Sequence, residues 1–403
     1  MELNQTGAQS SQGSKLRALM EVFGVSVKLG LTSFGGPIAH IGYFHDEYIR
    51  RRKWIDERSY ADLVALSQFL PGPASSQVGI GIGIVRAGLL GGLIAWLGFT
   101  LPSVIALIAF AFLLQGFDIA DTGWIHGLKI VAVVIVAHAI LGMGQKLTPD
   151  RVRVTIAVAA SAITLSSQTA YSQVMIITAA ALIGLWLYRN KSVQESPTLQ
   201  ISVSRSLAIA CLILFFALLF VLPLIRHWSG VEWLAMFDSF YRSGSLVFGG
   251  GHVVLPLLER EVVPTGWVSQ EDFLSGYGAA QAVPGPLFTF AAYLGAMAGG
   301  IKGAIVATIA IFLPAFLLIV GALPFWNALR GNPKIQGMLV GINAAVVGIL
   351  LAAFYQPLWT TSILNAMDFA LAALLFIMLV FWKLPPWVIV IAGAAGGMAL
   401  SLI

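Results

Sequence analysis

The sequence predicts an all-α integral membrane protein with about 10–13 transmembrane helices in two homologous repeats, broken at paired Pro-Gly-Pro motifs. Three observations carry that reading. Of 403 residues, 58% are hydrophobic and only 10% charged, against about a quarter charged in a soluble domain. Apolar runs near the ~20 residues that cross a bilayer recur along the whole chain. Val131 to Leu141 and Val174 to Leu187 are apolar on all sides, which fits helices and not the alternating strands of an outer-membrane barrel. The third observation is an internal repeat. Phe34-Gly35-Gly36, Glu47, Trp54, Gln68, Pro71-Gly72-Pro73, Gly91 and Leu101-Pro102 recur in order as Phe248-Gly249-Gly250, Glu261, Trp267, Gln281, Pro284-Gly285-Pro286, Gly303 and Leu313-Pro314.

Residues 1–14 are polar without an apolar centre, and are expected to be a disordered cytoplasmic tail and not a cleavable signal. The first repeat, 15–189, holds spans at 16–34, 59–86, 88–115, 124–145, 152–168 and 172–189. A polar linker, 190–204, and an extra helix, 205–225, lead to the second repeat, 226–403. Its spans are 234–249, 270–298, 301–325, 335–355, 364–382 and 386–403. An odd extra helix between repeats of even crossing number inverts the second copy, as in many secondary transporters. With the amino terminus inside, Lys146, Arg151, Arg153, Arg189, Lys191, Arg205, Arg330, Lys334 and Lys383 fall on the cytoplasmic side, as positive-inside asymmetry prefers. The run Arg50-Arg51-Arg52-Lys53 disagrees, because it then lies outside. A re-entrant hairpin at 59–86 would remove the conflict, with the repeats then expected to be parallel.

Two prolines in three residues remove backbone donors and block a continuing helix. Broken backbone at membrane depth is tolerated only where it packs in protein or lines a wet cavity, and matched breaks point to a transporter's binding site. A helix restarting after the break offers free N–H groups and a positive dipole end to an oxyanion. After Pro73 come Ala74, Ser75, Ser76 and Gln77, whose hydroxyls and amide suit a tetrahedral dianion. After Pro286 come Leu287, Phe288, Thr289 and Phe290, more apolar and suited to a wall or gate. Kinks serving packing alone are the alternative.

The stretches Gly35-Gly36-Pro37 and Gly249-Gly250-Gly251 suit a hinge or anion nest, or equally close helix packing through small residues. The Gly79-Ile80-Gly81-Ile82-Gly83 run lacks the setting of a dinucleotide site and is expected to pack a helix. Lys28, His40, Glu47, Arg86, Lys129, His138, Arg242, His252, Glu259 and Glu261 are ionisable residues near apolar runs, costly in a bilayer and mostly expected at interfaces. The repeat matches Glu47 with Glu261. Each is a candidate for carrying a coupled proton, or for a salt bridge to Arg50 or Arg260. His40 and His252 stand near the glycine motifs and titrate in the physiological range when unperturbed; His138 reads as a core histidine. Arg86 or Lys129 is a candidate for attracting a dianion.

Cys211 is the single cysteine, which excludes disulfides and thiolate metal sites. The formal charge of +5 lies between apolar runs and gives no nucleic-acid footprint. Hydrolytic, zinc and nucleotide motifs are missing, so the chain reads as a gradient-driven transporter without cofactor or metal and not as an enzyme.

Phe34-Gly35-Gly36-Pro37 with His40, then Gln68-Phe69-Leu70-Pro71-Gly72-Pro73, resembles the chromate ion transporter family, in its long two-domain type. The resemblance covers nearly the whole chain. It implies a bacterial inner-membrane protein that exports chromate with coupling to the proton-motive force. It carries over the glycine motifs, Gln68, Gln281 and both Pro-Gly-Pro triplets. Gly251 stands where the first copy has Pro37, and Leu287 to Phe290 where it has Ala74 to Gln77, which sets symmetric roles in doubt. Expected partners are the lipid bilayer, chromate or a related oxyanion and, as one assembly, a homodimer. A sulfate transporter, a passive anion channel and a membrane scaffold are the competing readings.

Overall fold

The computed structural model describes residues 3–34, 36–116, 123–167, 170–188, 203–248, 251–326 and 332–402. Helix α1 (Leu3–Thr32) takes in residues 3–14 of the expected polar tail, so that segment is helical from Leu3. Once the apolar portion has nucleated a helix, adding further residues is easy even where they are polar. Helix α1 stops at Thr32, and the chain returns through α2 (Gly36–Phe44), which runs into a π-helical turn (His45–Arg51). Then come α3 (Glu57–Phe69) and α4 (Ala74–Gly116). Non-helical Ala87 and Gly88 divide α4 into α4a (74–86) and α4b (89–116). The first repeat closes with α5 (Gly123–Leu147), α6 (Arg151–Ser166) and α7 (Ala170–Tyr188).

Helix α8 (Arg205–Ser229) starts on a Ser204 cap and runs four residues past the expected end. The pattern then repeats as α9 (Glu232–Leu246), α10 (Val254–Val262), α11 (Gln270–Ala280) and α12 (Phe290–Ala322), with α12 kinked at Gly299-Gly300 into α12a (290–298) and α12b (301–322). Last come α13 (Pro333–Ala353), α14 (Ala366–Val380) and α15 (Pro386–Leu400). Among the described residues, five helices, or helix runs, are long and apolar enough to cross a membrane, and three shorter ones are apolar. Large apolar side chains such as Ile213, Phe220 and Leu224 on α8 face outward, as a lipid-exposed surface requires.

The segments 59–86 and 270–298 each enter and turn back. Leu63 on α3 packs against Gly81 on α4a, and Gly276 on α11 packs against Tyr293 on α12a. These partners lie at similar distances on either side of the Pro-Gly-Pro tips, the contact pattern of an antiparallel hairpin. Gly83 against Gly91, and Gly295 against Gly303, then let each returning half-helix lie close to the long helix that follows. The Gly/Ile run does pack a helix. The sequence reading missed the return legs α2 and α10, because their apolar residues are too few to make a span.

Ion pairs show which ends share a face. Arg52 and Arg86 both reach Glu21 on α1, at 3.1 and 2.9 Å, so both hairpins of the first repeat open on the N-terminal face. The Arg50–Lys53 run therefore lies with Lys146, Arg151, Arg205 and Lys334, which corrects its expected outside placement and removes the charge conflict. α4b, α5, α6, α7 and α8 then carry the chain across an odd number of times. The second repeat accordingly opens on the opposite face. There Gln115 Nε2 donates to Met297 O at 3.1 Å, His126 meets Asp368 at 2.7 Å and Arg226 meets Asp238 at 3.2 Å. Re-entrant hairpins and inverted repeats coexist, where the sequence reading set them as alternatives.

The repeats are also interleaved. α5 packs on α15 and α7 on α13. Gly127 meets Gly393, and Gly184 meets Gly337 and Gly341, backbone against backbone, the close approach that small residues permit in membranes.

Candidate functional site

Each hairpin tip reaches into the other repeat. Gly72 N donates to Val247 O at 2.7 Å, and Gly285 N donates to Ser33 O at 2.9 Å. Ser33 and Val247 are matched residues, each just before a Phe-Gly-Gly break, so each tip is latched by the other repeat's broken helix. The turns need glycine: φ is +113° at Gly72 and +104° at Gly285, with +78° at Gly36, conformations that an L side chain resists. Beyond each tip a half-helix begins whose first N–H groups have no intrahelical acceptor.

Most sequence-predicted residues gather here. Pro71, Gly72, Gln281, Pro284 and Gly285 are half-buried, Gln68 is exposed, and Pro73, Ser75, Ser76, Gln77, Pro286 and Thr289 are buried. Gln77 Nε2 donates to Pro71 O at 2.9 Å and Thr289 Oγ1 to Pro286 O at 2.8 Å, so both side chains brace their own turn. Ser76 Oγ, Gln77 Oε1 and Gln281 Nε2 are buried without a protein partner. Pro37 and Gly251 touch where the two first-helix breaks meet, and Leu287 packs on Gly251. Gly35, Gly249 and Gly250 lie outside the described residues.

His40 is buried with Nε2 3.1 Å from Ser33 O. A carbonyl can only accept, so Nε2 carries the proton, and His40 shares that carbonyl with Gly285. His252 Nδ1 lies 2.8 Å from Tyr277 Oη and ties the second repeat's two hairpins together.

The matched carboxylates sit nearer the two mouths, in ion pairs whose partners differ from those expected. Glu47 is held by Lys28 at 2.7 Å, Arg52 at 3.2 Å and Arg51 at 3.3 Å, while Arg50 pairs with Asp46. Glu261 is held by Arg242 at 2.9 Å and by Ser239, with Arg260 directed instead at Ser172 and Thr164. Lys28 and Arg242 are themselves matched, so each repeat clasps its first hairpin with the same pair. Arg86 is paired with Glu21 and lies over Trp54, and Lys129 approaches Glu271 at 3.8 Å. Both therefore stand at the mouths and not beside the tips.

The sequence reading missed Ser33, Thr100 and Ser103. The repeated Leu101-Pro102 lies in their neighbourhood, but nothing in the sequence links that helix to the other repeat's tip.

A family model described as "Chromate transporter" matches residues 20–185 and again 234–398. The chain belongs to the chromate transporter family. Its curated relatives include the "Chromate transport protein" of Pseudomonas aeruginosa, 28% identical over 93% of this chain and 90% of that protein. The "Probable chromate transport protein" of Synechococcus elongatus is 30% identical over 94% of this chain and 95% of that protein. A chromate transport protein of Cupriavidus metallidurans is 27% identical, covering 94% and 92%. The double match falls on the two halves, each of which latches the other's tip. A member of the chromate transporter family is a transporter and not an enzyme, in keeping with a multi-pass helical chain.

Proposed function

We propose that this chain is a secondary transporter of the bacterial inner membrane that exports chromate at the expense of the proton-motive force. The observation that carries the reading is the pair of re-entrant tips, entering from opposite faces and latched across the repeats. This is the arrangement in which broken helices present backbone donors to an anion. Export needs no dedicated proton carrier. Moving one charge through the membrane potential is worth about 2.3 kcal/mol per 100 mV, so an inside-negative potential drives a dianion outward with about 4.6 kcal/mol per 100 mV. Glu47 and Glu261, each inside an ion pair, are on this reading braces of the first hairpins.

The test is chromate uptake into everted, energised membrane vesicles from cells expressing the chain, with and without an uncoupler and with excess sulfate. Uncoupler-sensitive uptake above empty vesicles is expected. Uptake equal to that of empty vesicles overturns the chromate assignment, and uptake abolished by the excess sulfate moves the substrate to tetrahedral oxyanions in general.

A further inference from the structure

The two tips share a sequence and rest in unlike surroundings. At the second tip, Gly285 donates to Ser33 and its Cα faces α4b, where an added Cβ would lie 2.9 Å from Ser103 Oγ and 3.4 Å from Phe99 O. Ser33, Thr100 and Ser103 are all buried. Ser103 Oγ donates to Thr100 O at 3.0 Å, whereas Ser33 Oγ and Thr100 Oγ1 have no protein partner. Leaving such hydroxyls unmatched is costly unless something else satisfies them. At the first tip, Gly72 donates to Val247 and faces Ala315. The repeat pairs Ser33 with Val247, Thr100 with Phe312 and Ser103 with Ala315, so every hydroxyl of one cradle is replaced by carbon in the other.

The same contrast extends to the half-helices. Counting from Pro73 and Pro286, Ser75 matches Phe288, and Phe288 packs on Phe312 with ring centroids 6.0 Å apart. The pseudo-symmetry thus puts Ser75 and Thr100 where the second repeat holds an aromatic pair. Ser76, unpartnered and buried, stands in the same opening turn of α4a.

We propose that Ser33, Ser75, Thr100 and Ser103, between the opening turn of α4a and the Gly285 tip, form a single binding site for a fully deprotonated tetrahedral oxyanion. Phe288 and Phe312 are its apolar counterpart in the other repeat. This deepens the transport reading and rests on it: one polar half and one apolar half give the inverted pair one site and not two. The donors are the Ser33, Ser75 and Thr100 hydroxyls, the Ser103 hydroxyl once its proton turns from Thr100 O to the anion, and the N–H groups of the opening turn of α4a. These are neutral dipoles that hold a dianion without a fixed counter-charge, and so bind it loosely enough for release.

The experiment titrates sodium chromate, and separately sodium sulfate, into the full chain in detergent by calorimetry. Thr100→Val and Ser103→Ala are each expected to weaken binding roughly tenfold, the loss of one hydrogen bond to a charged group. Thr100→Ser keeps the hydroxyl and is expected to bind within about twofold of the parent, a margin small beside that tenfold step. Thr155→Val, an exposed threonine bonded to its own helix at Arg151 O, is a control expected to leave binding unchanged. If the parent binds chromate and both Thr100→Val and Ser103→Ala bind equally well, the site is wrong and the transport reading stands. If the parent binds sulfate alone and the variants lose it, the site is upheld and the chromate reading falls. If the parent neither binds nor transports either ion, both fall.

Discussion

Replacing Gly285 by alanine tests whether the latched tip geometry is needed for transport. At φ +104°, an L residue costs about 1–3 kcal/mol. The new Cβ also meets Ser103 Oγ at 2.9 Å, and turning that hydroxyl away breaks its bond to Thr100 O, about 1 kcal/mol more. The sum, about 2–4 kcal/mol, corresponds to a loss of roughly 30- to 800-fold in the latched population, at about 1.4 kcal/mol per factor of ten. Gly72→Ala carries similar backbone strain at φ +113°, but its nearest neighbours lie at 3.3 Å or more, so it should lose less. Gly88→Ala separates tip geometry from general stability: its φ is +71° with nothing within 4 Å of an added Cβ, at the outer turn of the same hairpin. The assay is the initial rate of chromate uptake into everted vesicles, divided by the amount of folded protein. The expected order of activity is Gly88→Ala, then Gly72→Ala, then Gly285→Ala. Equal rates for Gly285→Ala and Gly88→Ala would refute the argument that the tips must hold this conformation.

Other predictions follow from the charged clusters and the topology. Glu261→Ala leaves Arg242 and Arg226, 18% and 29% exposed, without that partner and should cost about 3 kcal/mol. Glu47→Ala releases Lys28 and Arg51, 48% and 66% exposed, and should cost about 1 kcal/mol; thermal unfolding in detergent compares the two, and equal losses contradict the difference in burial. In a Cys211→Ser background, cysteine at Lys53 should react with an impermeant thiol reagent only from the cytoplasmic side, and cysteine at Lys302 only from the other. Labelling of both from one side refutes the inverted arrangement. Asp150 caps α6, and the Arg153 backbone N–H and guanidinium hold its carboxyl below the usual range. A depressed carboxylate stabilises the fold above its unfolded pKa, and that contribution is lost as pH falls through its folded value. The thermal midpoint of Asp150→Asn should therefore fall below the parent's at pH 7 and converge on it in acid.

How far the sequence could be read depended on which information is local. The long apolar runs fixed most helices to within a few residues, because crossing length and Pro or Gly breaks are properties of one segment. The repeat was equally legible, since rare residues such as Trp54 and Trp267 keep their order. The path of a broken segment was not: a Pro-Gly-Pro break halts a helix whether the chain then continues or turns back, and only contacts such as Leu63 with Gly81 decide between them. Misjudging that path also put Arg50–Lys53 on the wrong face.

The proposed binding site shows the same limit more sharply. Ser75, Ser76 and Gln77 drew attention because they follow a break in their own segment, yet Gln77 spends its amide on Pro71 O. Ser33, Thr100 and Ser103 lie on the side of Gly285, which belongs to the other repeat and follows Ser103 by nearly half of the chain. Repeat symmetry says that two tips exist and where each comes from, and it leaves open which of them faces hydroxyls. That is decided where the copies differ, at Thr100 against Phe312 and Ser103 against Ala315. In a duplicated transporter, then, the matched residues build the frame that both halves need, and the polar-to-apolar mismatches between the copies mark the side on which an ion can be held.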